Sequence, residues 1–385
     1  MTIDDEGLTM AVETRAAVLS SMGAARPYAD SRPLSVQTVA LDPPGRGEVQ
    51  VAIRAAGLCH SDLSVINGDR PRPLPMALGH EAAGVVEALG PGVDDLKIGD
   101  HVVMVFMPSC GHCDPCAGGR PALCVPGAAA NGRGELLGGG RRLFREGEAL
   151  NHHLGCSAFA ERAVVSRRSL VRVDPDLPFE IAALFGCAVL TGVGAVVNTA
   201  GVKVGQGVVV VGLGGVGLAS VLGALACGAS PVVAVDLSEE KLALARTFGP
   251  VRTVNAADAD AVEQVRALTG GGADFAFEMA GSVQALEAAW KMTKRGGTTV
   301  TAGLPPPEAA LAVNVVSLVG EERTLKGSYI GTCVPSRDIP RYVALYRDGR
   351  LPVDRLLSGV IPLDDINAGF DRLHAGEVVR LVVRP

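Results

Sequence analysis

The hydrophobic and polar positions along the chain follow two different patterns. Between residues 47 and 105, short β-rich pieces alternate with glycine and proline, which predicts an antiparallel or barrel-like unit. A polar loop rich in glycine and arginine follows at 131–148. From about residue 189, strand-like hydrophobic runs alternate with helical segments, an order typical of βαβ units around a parallel sheet. The C-terminal pieces IPRYVALYRDG and VRLVV are again mixed, so we expect the second domain to be inserted before the first is completed.

One run, from Gly207 to Val235, contains no charged residue and is long enough for a membrane span. The stretch GLGGVG at 212–217 and then Gly228 interrupt it, and a β-branched block gives way to one rich in alanine and leucine. Strand, turn, helix and strand fit this order better than one long helix. We therefore predict no membrane segment here.

Length, charge and cysteine content narrow the class of protein. At 385 residues the chain exceeds what one hydrophobic core usually supports, so two domains are expected. The formal net charge is −6, and no basic run suits nucleic acid or an anionic membrane, which favours a small-molecule partner. The N-terminal stretch MTIDDEGLTMAVETR is acidic where an export signal would be basic, which predicts a cytoplasmic protein. In that reducing compartment, the nine cysteines are expected to be metal ligands or buried thiols.

The stretch VVVVGLGGVG, followed by VVAVD, has the order of a dinucleotide-binding unit. The first glycine suits a tight turn, the second lets the backbone approach a pyrophosphate, and the third lets the helix pack close to the strand. The phosphates would lie at the helix N-terminus, where free amides attract anions. The alternative is a glycine-rich turn that only tightens a sheet. The predicted cofactor-binding turn consists of Gly212, Gly214, Gly215, Val216 and Gly217.

Asp236, at the end of the following strand, decides which dinucleotide is expected. Its carboxylate can accept hydrogen bonds from both ribose hydroxyls, whereas it would repel a 2′-phosphate. We therefore expect NAD rather than NADP. Lys241, five residues later, is long enough to reach the same ribose.

Four cysteines, Cys110, Cys113, Cys116 and Cys124, have the spacing CxxCxxCx7C. Four thiolates on one short loop suit a tetrahedral zinc without an open position, and such closed sites are structural. An iron–sulfur cluster is the alternative, although the ferredoxin motif has a shorter last gap followed by proline, whereas Val125 follows here. Disulfides fit a reducing compartment poorly.

A second set of metal-ligand residues is scattered over GLCHSD at 57–62, GHE at 79–81 and FGCAVLTG at 185–192. Each fragment alone is more typical of a buried thiol or a satisfied core imidazole. Together they supply two cysteines and one histidine, which with a fourth open position is the composition of a catalytic zinc site. These residues are Cys59, His80 and Cys187.

These motifs together carry a family resemblance. The chain resembles the zinc-dependent medium-chain alcohol dehydrogenases, because its motifs follow that family's order: GLCHSD, LGHEAAGVV, the four-cysteine stretch, NHHLGCSAFAERAVV, GCAVLTGVGAVVNTA and VVVVGLGGVG. The spacing is similar to that of the long class, which includes the liver enzymes and the glutathione-dependent formaldehyde dehydrogenases. The resemblance implies an α/β protein with a Rossmann doubly wound parallel sheet plus a GroES-like, β-barrel-type catalytic domain. The implied catalytic domain spans 1–188, with a structural zinc lobe at 106–128, the Rossmann domain spans 189–329, and 330–385 completes the catalytic domain.

The resemblance also implies two zinc ions per chain. A catalytic zinc would be held by Cys59, His80 and Cys187, with Glu81 beside it as an occasional or indirect ligand. The four clustered cysteines would hold the family's structural zinc.

Further roles follow from the same resemblance. Ser61 matches a hydroxyl that hydrogen-bonds the zinc-bound oxygen, and Asp62 matches a carboxylate that orients the ligand histidine. The implied cofactor contacts, to the pyrophosphate, the nicotinamide and the phosphates, are His60, Thr191 and Arg380. The implied substrate-pocket residues are Phe106, His153 and Leu304.

Two departures from the family pattern concern the route of proton transfer to solvent and the class of substrate. The relay histidine of the liver enzymes, expected five residues after Cys59, is Ser64 here. A relay through His60, Ser64 or bound water is the substitute hypothesis. Where the glutathione-dependent class is expected to hold an arginine for the glutathione carboxylate, this chain has Ala128. Glutathione adducts are therefore poor candidate substrates, whereas another thiol adduct stays open.

The implied reaction interconverts an alcohol and its aldehyde or ketone, by hydride transfer with NAD through a zinc alkoxide. One alternative is a dehydrogenase of a thiol-adduct or carrier-bound hydroxymethyl group, and another is a zinc-stabilised dinucleotide-binding protein without catalysis. For assembly, TLKGSYIG at 324–331 is similar to the strand that pairs two subunits across a two-fold axis in the family. This implies a homodimer, with a homotetramer as the alternative.

Overall fold

The computed structural model describes residues 11–385. The first ten residues of the acidic N-terminal stretch, on which the expected absence of an export signal rests, lie outside this range. The described residues form two compact units. Unit 1 comprises the chain through Cys187 with Val334–Ile339 and Leu357–Pro385, and unit 2 comprises Ala188–Cys333 and Pro340–Leu356.

Strands and helices alternate along the described chain. The strands are β1 (Val12–Leu19), β2 (Leu34–Leu41), β3 (Glu48–Gly57), β4 (Met76–Ala77), β5 (Ala82–Leu89), β6 (His101–Met104), β7 (Leu143–Arg145), β8 (Glu148–His152), β9 (Arg162–Ser166), β10 (Leu170–Val173), β11 (Val208–Val211), β12 (Val232–Asp236), β13 (Val251–Asn255), β14 (Ala273–Glu278), β15 (Thr293–Thr301), β16 (Thr324–Gly327), β17 (Leu357–Pro362) and β18 (Arg380–Arg384). The α-helices are α1 (Tyr28–Ser31), α2 (His60–Ile66), α3 (Asp114–Ala117), α4 (Val125–Arg133), α5 (Phe179–Leu184), α6 (Ala188–Gly194), α7 (Gly215–Ala226), α8 (Glu239–Arg246), α9 (Ala261–Leu268), α10 (Val283–Met292), α11 (Val315–Gly320), α12 (Pro335–Arg347) and α13 (Ile366–His374). A π-helical turn, Ala195–Ala200, continues α6, and 3-10 turns lie at Pro121–Leu123, Arg167–Ser169, Ile330–Thr332, Val353–Leu356 and Leu363–Asp365.

Unit 1 is built on two β-sheets. A closed barrel has the strand order β1-β2-β7-β8-β4, and a second sheet has the order β10-β6-β5-β3-β18-β17, with β9 also paired to β3. The barrel core is apolar and fully buried at Ala16, Val18, Leu41, Leu143 and Leu150. Strand β18, from the C-terminal end of the chain, pairs with β3 and β17 and so completes this unit. The predicted barrel-type domain is confirmed.

Unit 2 contains a six-stranded parallel sheet with the order β13-β12-β11-β14-β15-β16. The strand order reverses between β11 and β14, which is the topology of a doubly wound Rossmann sheet. Its buried core includes Val209, Val211, Val233 and Val235. The uncharged run at 207–235 folds as β11, α7 and β12, as predicted. Among the described residues, no helix combines the length and the apolar character that a membrane span requires.

The glycine-rich turn after β11 shows why these positions lack side chains. Gly212 has a φ of +91°, and a Cβ there would lie 2.6 Å from the Ala280 nitrogen. A Cβ on Gly217 would lie 1.8 Å from the Gly212 carbonyl oxygen, so only glycine lets α7 begin this close to the strand. By contrast, a Cβ on Gly214 would meet nothing within 4 Å, which leaves open space above this part of the turn.

The strand expected at 324–331 is shorter in the structure. Only Thr324–Gly327 is a strand, at the edge of the sheet beside β15, and all four of its residues are exposed. A 3-10 turn follows at Ile330–Thr332, where three consecutive residues have positive φ values. Ser328 still donates to the Thr301 carbonyl and Tyr329 keeps an extended backbone. Because positive φ is incompatible with an extended strand, the chain cannot stay extended beyond Tyr329.

The polar loop expected at 131–148 is partly regular. Helix α4 continues to Arg133, and β7 and β8 form an antiparallel hairpin whose turn is Glu146 and Gly147, both with positive φ. Such a two-residue turn matches the twist of a hairpin. The hairpin forms because Leu143 and Leu150 bury their side chains in the barrel core, a signal that the surrounding arginines and glycines hide in the sequence.

The C-terminal boundary also differs from the expected one. The expected segment 330–385 is divided, because Pro340–Leu356 belongs to unit 2. Within that unit, the Asn198 side-chain amide donates to the hydroxyl of Tyr342 at 3.4 Å and lies 3.3 Å from Cys333 Sγ. The amphipathic helix α12 therefore contributes its second half to the dinucleotide-type unit.

Candidate functional site

Three separate loops of unit 1 bring one set of metal-ligand atoms together. Cys59 immediately precedes α2, His80 and Glu81 immediately precede β5, and Cys187 ends the first long segment of the unit. One ligand atom from each of these four residues lies within 4.8 Å of the others, and all four residues are buried. The structure thus assembles the Cys2His set that the sequence only scatters, with Glu81 adjacent to it.

The donor atoms of this cluster fit a zinc ion. His80 Nε2 and both carboxylate oxygens of Glu81 are buried without a hydrogen-bond partner. Each such atom would cost about 1–3 kcal/mol if it stayed unsatisfied. A hydrogen bond from Cys187 holds the pKa of Cys59 well below its usual range, which favours the thiolate form of Cys59. Two cysteine sulfurs, which bind as thiolates, and an imidazole nitrogen are ligands that zinc prefers.

Asp62 fixes the orientation of His80. Its Oδ1 lies 3.0 Å from His80 Nδ1 and also accepts a hydrogen bond from the Gly79 backbone at 3.2 Å. Burial would lower the pKa of His80, but the Asp62 carboxylate raises it well above its usual value. In the neutral imidazole that binds a metal, this contact places the proton on Nδ1 and leaves Nε2 as the nitrogen available to the metal.

Two aromatic rings lie against the imidazole of His80. Phe106 and His153 each make an edge-to-face contact with it, at centroid distances of 5.3 Å and 5.5 Å. His153 Nδ1 also lies 3.1 Å from Asp62 Oδ1, so the same carboxylate oxygen is close to two histidines. Burial lowers the pKa of His153, which favours its neutral form. The sequence predicted His153 as a pocket residue but gave no sign of its contact with Asp62.

Arg380 lies on the other side of the metal-ligand set. It is only 3% exposed, its Nη1 donates to the Leu58 carbonyl at 2.8 Å, and the same atom lies 3.6 Å from Glu81 Oε2. Burial raises the pKa of Glu81 to about 7, although Arg380 acts in the opposite direction. The guanidinium therefore supplies a positive charge close to Glu81.

The helix that follows Cys59 contains the other residues assigned near this set. Ser61 is half-buried in the first turn of α2, and His60 is exposed. Ser64 Oγ donates to the His60 backbone carbonyl at 2.8 Å. The hydroxyl that replaces the expected relay histidine is thus hydrogen-bonded within its own helix.

The second cysteine cluster consists of Cys110, Cys113, Cys116 and Cys124. The sulfurs of the four cysteines lie within 4.8 Å of one another, and backbone N–H groups donate to two of the sulfurs. The backbone N–H groups of His112 and Cys113 lower the pKa of Cys110 to about 6. Four sulfurs without a further open position suit a structural zinc. Ala128, four residues after Cys124, is exposed on α4.

In unit 2, Asp236 is bound to the glycine-rich turn. Its Oδ2 accepts a hydrogen bond from the Leu213 N–H at 2.6 Å, and its Oδ1 accepts one from Ser238 at 2.9 Å. A cavity of about 350 Å³ opens beside it. Sequence reasoning missed most of its lining, because the wall combines small residues of two loops and of helix α10: Ala256, Ala259, Ala280, Ser282, Ala285 and Ala288.

The remaining predicted residues of unit 2 are dispersed around these elements. Thr191 is buried within α6, Lys241 is half-buried in the first turn of α8, and Leu304 is exposed in the loop after β15. Val216 and Gly215 open α7 directly after the turn.

Two family models match the chain. Residues 45–175 match the alcohol dehydrogenase GroES-like domain, and residues 215–348 match the zinc-binding dehydrogenase domain. The chain is 37% identical over 382 residues to S-(hydroxymethyl)glutathione dehydrogenase of Paracoccus denitrificans, covering 97% of this chain and 100% of the relative. It is 36% identical over 383 residues to alcohol dehydrogenase class-3 of Cereibacter sphaeroides, with coverages of 97% and 100%.

Solved structures agree with these matches. Benzyl alcohol dehydrogenase from Acinetobacter calcoaceticus superposes with a TM-score of 0.90 at 32% identity, covering 97% of this chain and 99% of that chain. An alcohol dehydrogenase zinc-binding domain protein from Burkholderia ambifaria gives a TM-score of 0.91 at 36% identity, with the same coverages. The chain therefore belongs to the zinc-dependent medium-chain alcohol dehydrogenases, which interconvert alcohols and aldehydes with NAD.

Proposed function

We propose that this enzyme oxidises primary alcohols, and reduces their aldehydes, at the buried centre formed by Cys59, His80 and Cys187. The observation that carries the proposal is the convergence of ligand atoms from three loops on one point, with His80 Nε2 left without a hydrogen-bond partner. A protein that only bound a dinucleotide would not need this set. Bound zinc supplies a Lewis acid that makes a substrate hydroxyl acidic near neutral pH, and NAD supplies the hydride acceptor.

Residues of the chain orient the metal ligand, transfer the proton and exclude water. Asp62 holds the imidazole of His80 in the ligand tautomer through its contact with Nδ1. Ser61, half-buried at the start of α2, accepts the substrate hydroxyl proton at Oγ and releases it to solvent, by way of exposed His60 or of water. Phe106 and His153 wall the site on the imidazole side, where they exclude water from the reacting carbon. Leu304 is assigned to the pocket by family resemblance.

For the cofactor, we propose NAD at the turn of 212–217. The space above Gly214 admits a pyrophosphate to the N-terminus of α7, where free backbone amides attract anions. Asp236 presents a carboxylate that suits ribose hydroxyls and repels a 2′-phosphate. Within unit 2, Lys241 and Thr191 are further proposed contacts. The family resemblance also assigns His60 and Arg380 to the cofactor.

The second candidate substrate is a thiol-adduct hydroxymethyl compound. Its support is that a relative of 37% identity is an S-(hydroxymethyl)glutathione dehydrogenase. Against glutathione itself stands Ala128, because its exposed methyl group offers no charge to a carboxylate. The simple alcohol is therefore the first candidate.

The two clusters of cysteine ligands also indicate a cellular compartment for the protein. Cysteines bind zinc only as thiolates, so both clusters need a compartment in which thiols stay reduced. The cytoplasm meets this requirement and is the proposed location.

For assembly, we propose a homodimer formed through β16 and α11. Edge strand β16 is exposed along its whole length and can pair with its copy across a two-fold axis. Helix α11, a few residues earlier, exposes Val315, Val316 and Val319 by 67%, 80% and 70%. Dimer formation would cover this apolar patch. A homotetramer would require a further surface.

The zinc mechanism predicts a specific activity profile. Initial rates of NADH formation are measured over primary alcohols of increasing length, with NADP and with the variant Cys59→Ala in parallel. We expect NAD-dependent turnover that falls at least about a thousandfold in the variant, because several kcal/mol of Lewis-acid stabilisation are lost. If the zinc-loaded protein is inactive on every alcohol but active on a hydroxymethyl thiol adduct, the second candidate replaces the first.

The contact between Asp62 and His80 predicts a selective loss of one zinc. The variant Asp62→Asn keeps the size of the side chain but removes the charge that orients the imidazole, and such changes weaken metal binding by about 10–100-fold. Competition with a chelator, followed by zinc analysis, should remove one zinc per chain at low chelator while the four-cysteine site keeps its metal. Equal resistance in the variant and the unchanged protein would contradict the role of Asp62.

The glycine-rich turn predicts a loss of stability at Gly217 and a loss of cofactor affinity at Gly214. The variant Gly217→Ala places a Cβ 1.8 Å from a carbonyl oxygen and should lower the melting temperature by several degrees. The variant Gly214→Ala has room for its Cβ and should melt normally, yet it should bind NADH at least about tenfold more weakly, because the methyl group occupies the pyrophosphate space. Unchanged NADH binding in Gly214→Ala would contradict the proposed cofactor position.

The dimer proposal predicts that a charge in the apolar patch separates the subunits. Sedimentation equilibrium should give a dimer for the unchanged protein and a monomer for Val316→Asp, because a buried unpaired carboxylate is costly. The matched control is Val204→Asp, since Val204 is also highly exposed, at 82%, but lies outside the patch. A Val316→Asp protein that stays dimeric would show that the interface lies elsewhere.

A further inference from the structure

A buried carboxylate occupies the carboxyl end of the parallel sheet and belongs to no residue set described above. Glu278, the last residue of β14, is 1% exposed. Its Oε1 accepts a hydrogen bond from the Gly281 N–H at 2.5 Å, and its Oε2 accepts one from the Thr301 hydroxyl at 2.7 Å. Within residues 11–385, no cation forms an ion pair with it. Its two oxygens thus bind two neighbouring loops, one after β14 and, at its start, the one after β15.

These two loops follow adjacent strands. Gly281 lies between β14 and α10, and Thr301 is the last residue of β15, directly opposite Glu278 in the strand pairing. The backbone of Glu278 reinforces the link, because its carbonyl accepts a hydrogen bond from Ala302 at 3.1 Å. The same carbonyl also accepts a hydrogen bond from Gly303 at 3.4 Å, so one residue holds the start of both loops through four hydrogen bonds.

The loops are in close contact as well as hydrogen-bonded. A Cβ on Gly303 would lie 2.4 Å from the Gly281 nitrogen and 2.6 Å from Glu278 Oε2. The carboxylate therefore fills the space between the two backbones, and neither loop can shift alone without breaking one of its hydrogen bonds.

The first of these loops forms a wall of the cavity beside the glycine-rich turn. Ala280 and Ser282, on either side of Gly281, line that cavity together with Gly212 and Asp236. In open α/β sheets, ligands bind outside the carboxyl ends of the strands, at the point where the strand order reverses. Glu278 lies on β14, one of the two strands at that point.

We propose that Glu278 is a positioning residue for the dinucleotide, which sets the distance between the 280–282 loop and the 302–304 loop so that NAD fits against both. The inference rests on the NAD site proposed above and adds a residue to it. Burying a carboxylate with only two hydrogen-bond donors is a costly way to stabilise a sheet, because an apolar residue would fill the space more cheaply. A fixed spacing between the cavity-lining 280–282 loop and the 302–304 loop is what the carboxylate adds.

Three substitutions and one matched control test this role. Glu278→Ala removes both side-chain hydrogen bonds, Thr301→Val removes one, and Glu278→Gln can keep both, because its amide accepts from Gly281 and donates to the Thr301 hydroxyl. The control is Thr293→Val at the opposite end of β15. The Thr293 hydroxyl is buried, lies 2.7 Å from Thr299 Oγ1 and donates to the Ala289 carbonyl at 2.9 Å, so its loss weakens the same sheet away from the loops.

The readouts are the NADH dissociation constant from fluorescence titration, KM for NAD, KM for the alcohol, and the melting temperature. We expect NADH binding to weaken at least about tenfold in Glu278→Ala and about threefold in Thr301→Val, and to recover to within about twofold in Glu278→Gln. Thr293→Val should lower the melting temperature with less than about a twofold change in NADH binding. KM for the alcohol should stay nearly constant throughout.

The outcomes separate this inference from the proposed function. Equal NADH affinities in Thr301→Val and Thr293→Val, at similar melting temperatures, would show that Glu278 and its partner only stabilise the sheet. This comparison holds even if Glu278→Ala does not fold. An unchanged protein that binds no NADH at all would overturn the dinucleotide site and this inference with it.

Discussion

The structure of unit 1 depends on one constraint, which is that metal-ligand atoms must be buried together before a metal can satisfy them. The imidazole nitrogen of His80 and the oxygens of Glu81 have no hydrogen-bond partners of their own. The fold therefore has to force these groups together by other means. The second sheet of unit 1 does so, because β3 leads into Cys59, β5 begins directly after Glu81, and both strands pair with each other.

Charges around the ligands are arranged in compensating pairs. Asp62 balances His80 on one side, and Arg380 lies beside Glu81 on the other. Each member of a pair is buried, so each would be strongly destabilising alone. Arg380 comes from the last strand of the chain, which links the completion of the sheet by β18 to the electrostatics of the site. The late return of the chain to unit 1 is thus a requirement of the site as well as of the fold.

The sequence predicted those features that depend on local residue order. The glycine-rich turn, the strands on either side of it and the four-cysteine spacing are all local, and the structure contains each of them. The Cys59, His80 and Cys187 set was reached by composition and family resemblance, and the structure brings the three residues together.

What the sequence could not predict is set by contacts between distant residues. Leu143 and Leu150 form a hairpin in a stretch that is otherwise rich in glycine and arginine, because the barrel core buries them. The contact of His153 with Asp62 spans a long stretch of chain and has no periodic signal. The expected strand at 324–331 ends at Gly327, and the positive φ values of residues 330–332, which no hydrophobic pattern reveals, prevent it from reaching 331.

Carboxylates carry out a common task at the carboxyl end of the unit 2 sheet. Asp236 accepts from the Leu213 N–H, and Glu278 accepts from the Gly281 N–H, so each acid at the end of one strand holds the loop that follows a strand. These loops are too short to have hydrogen-bonded structure of their own. Their geometry therefore comes from side chains anchored in the rigid sheet, which is how loops can hold a ligand with the precision of regular structure. This edge of the sheet is accordingly defined by two acids and by the glycines that let the backbones meet, and the apolar sheet below supports them.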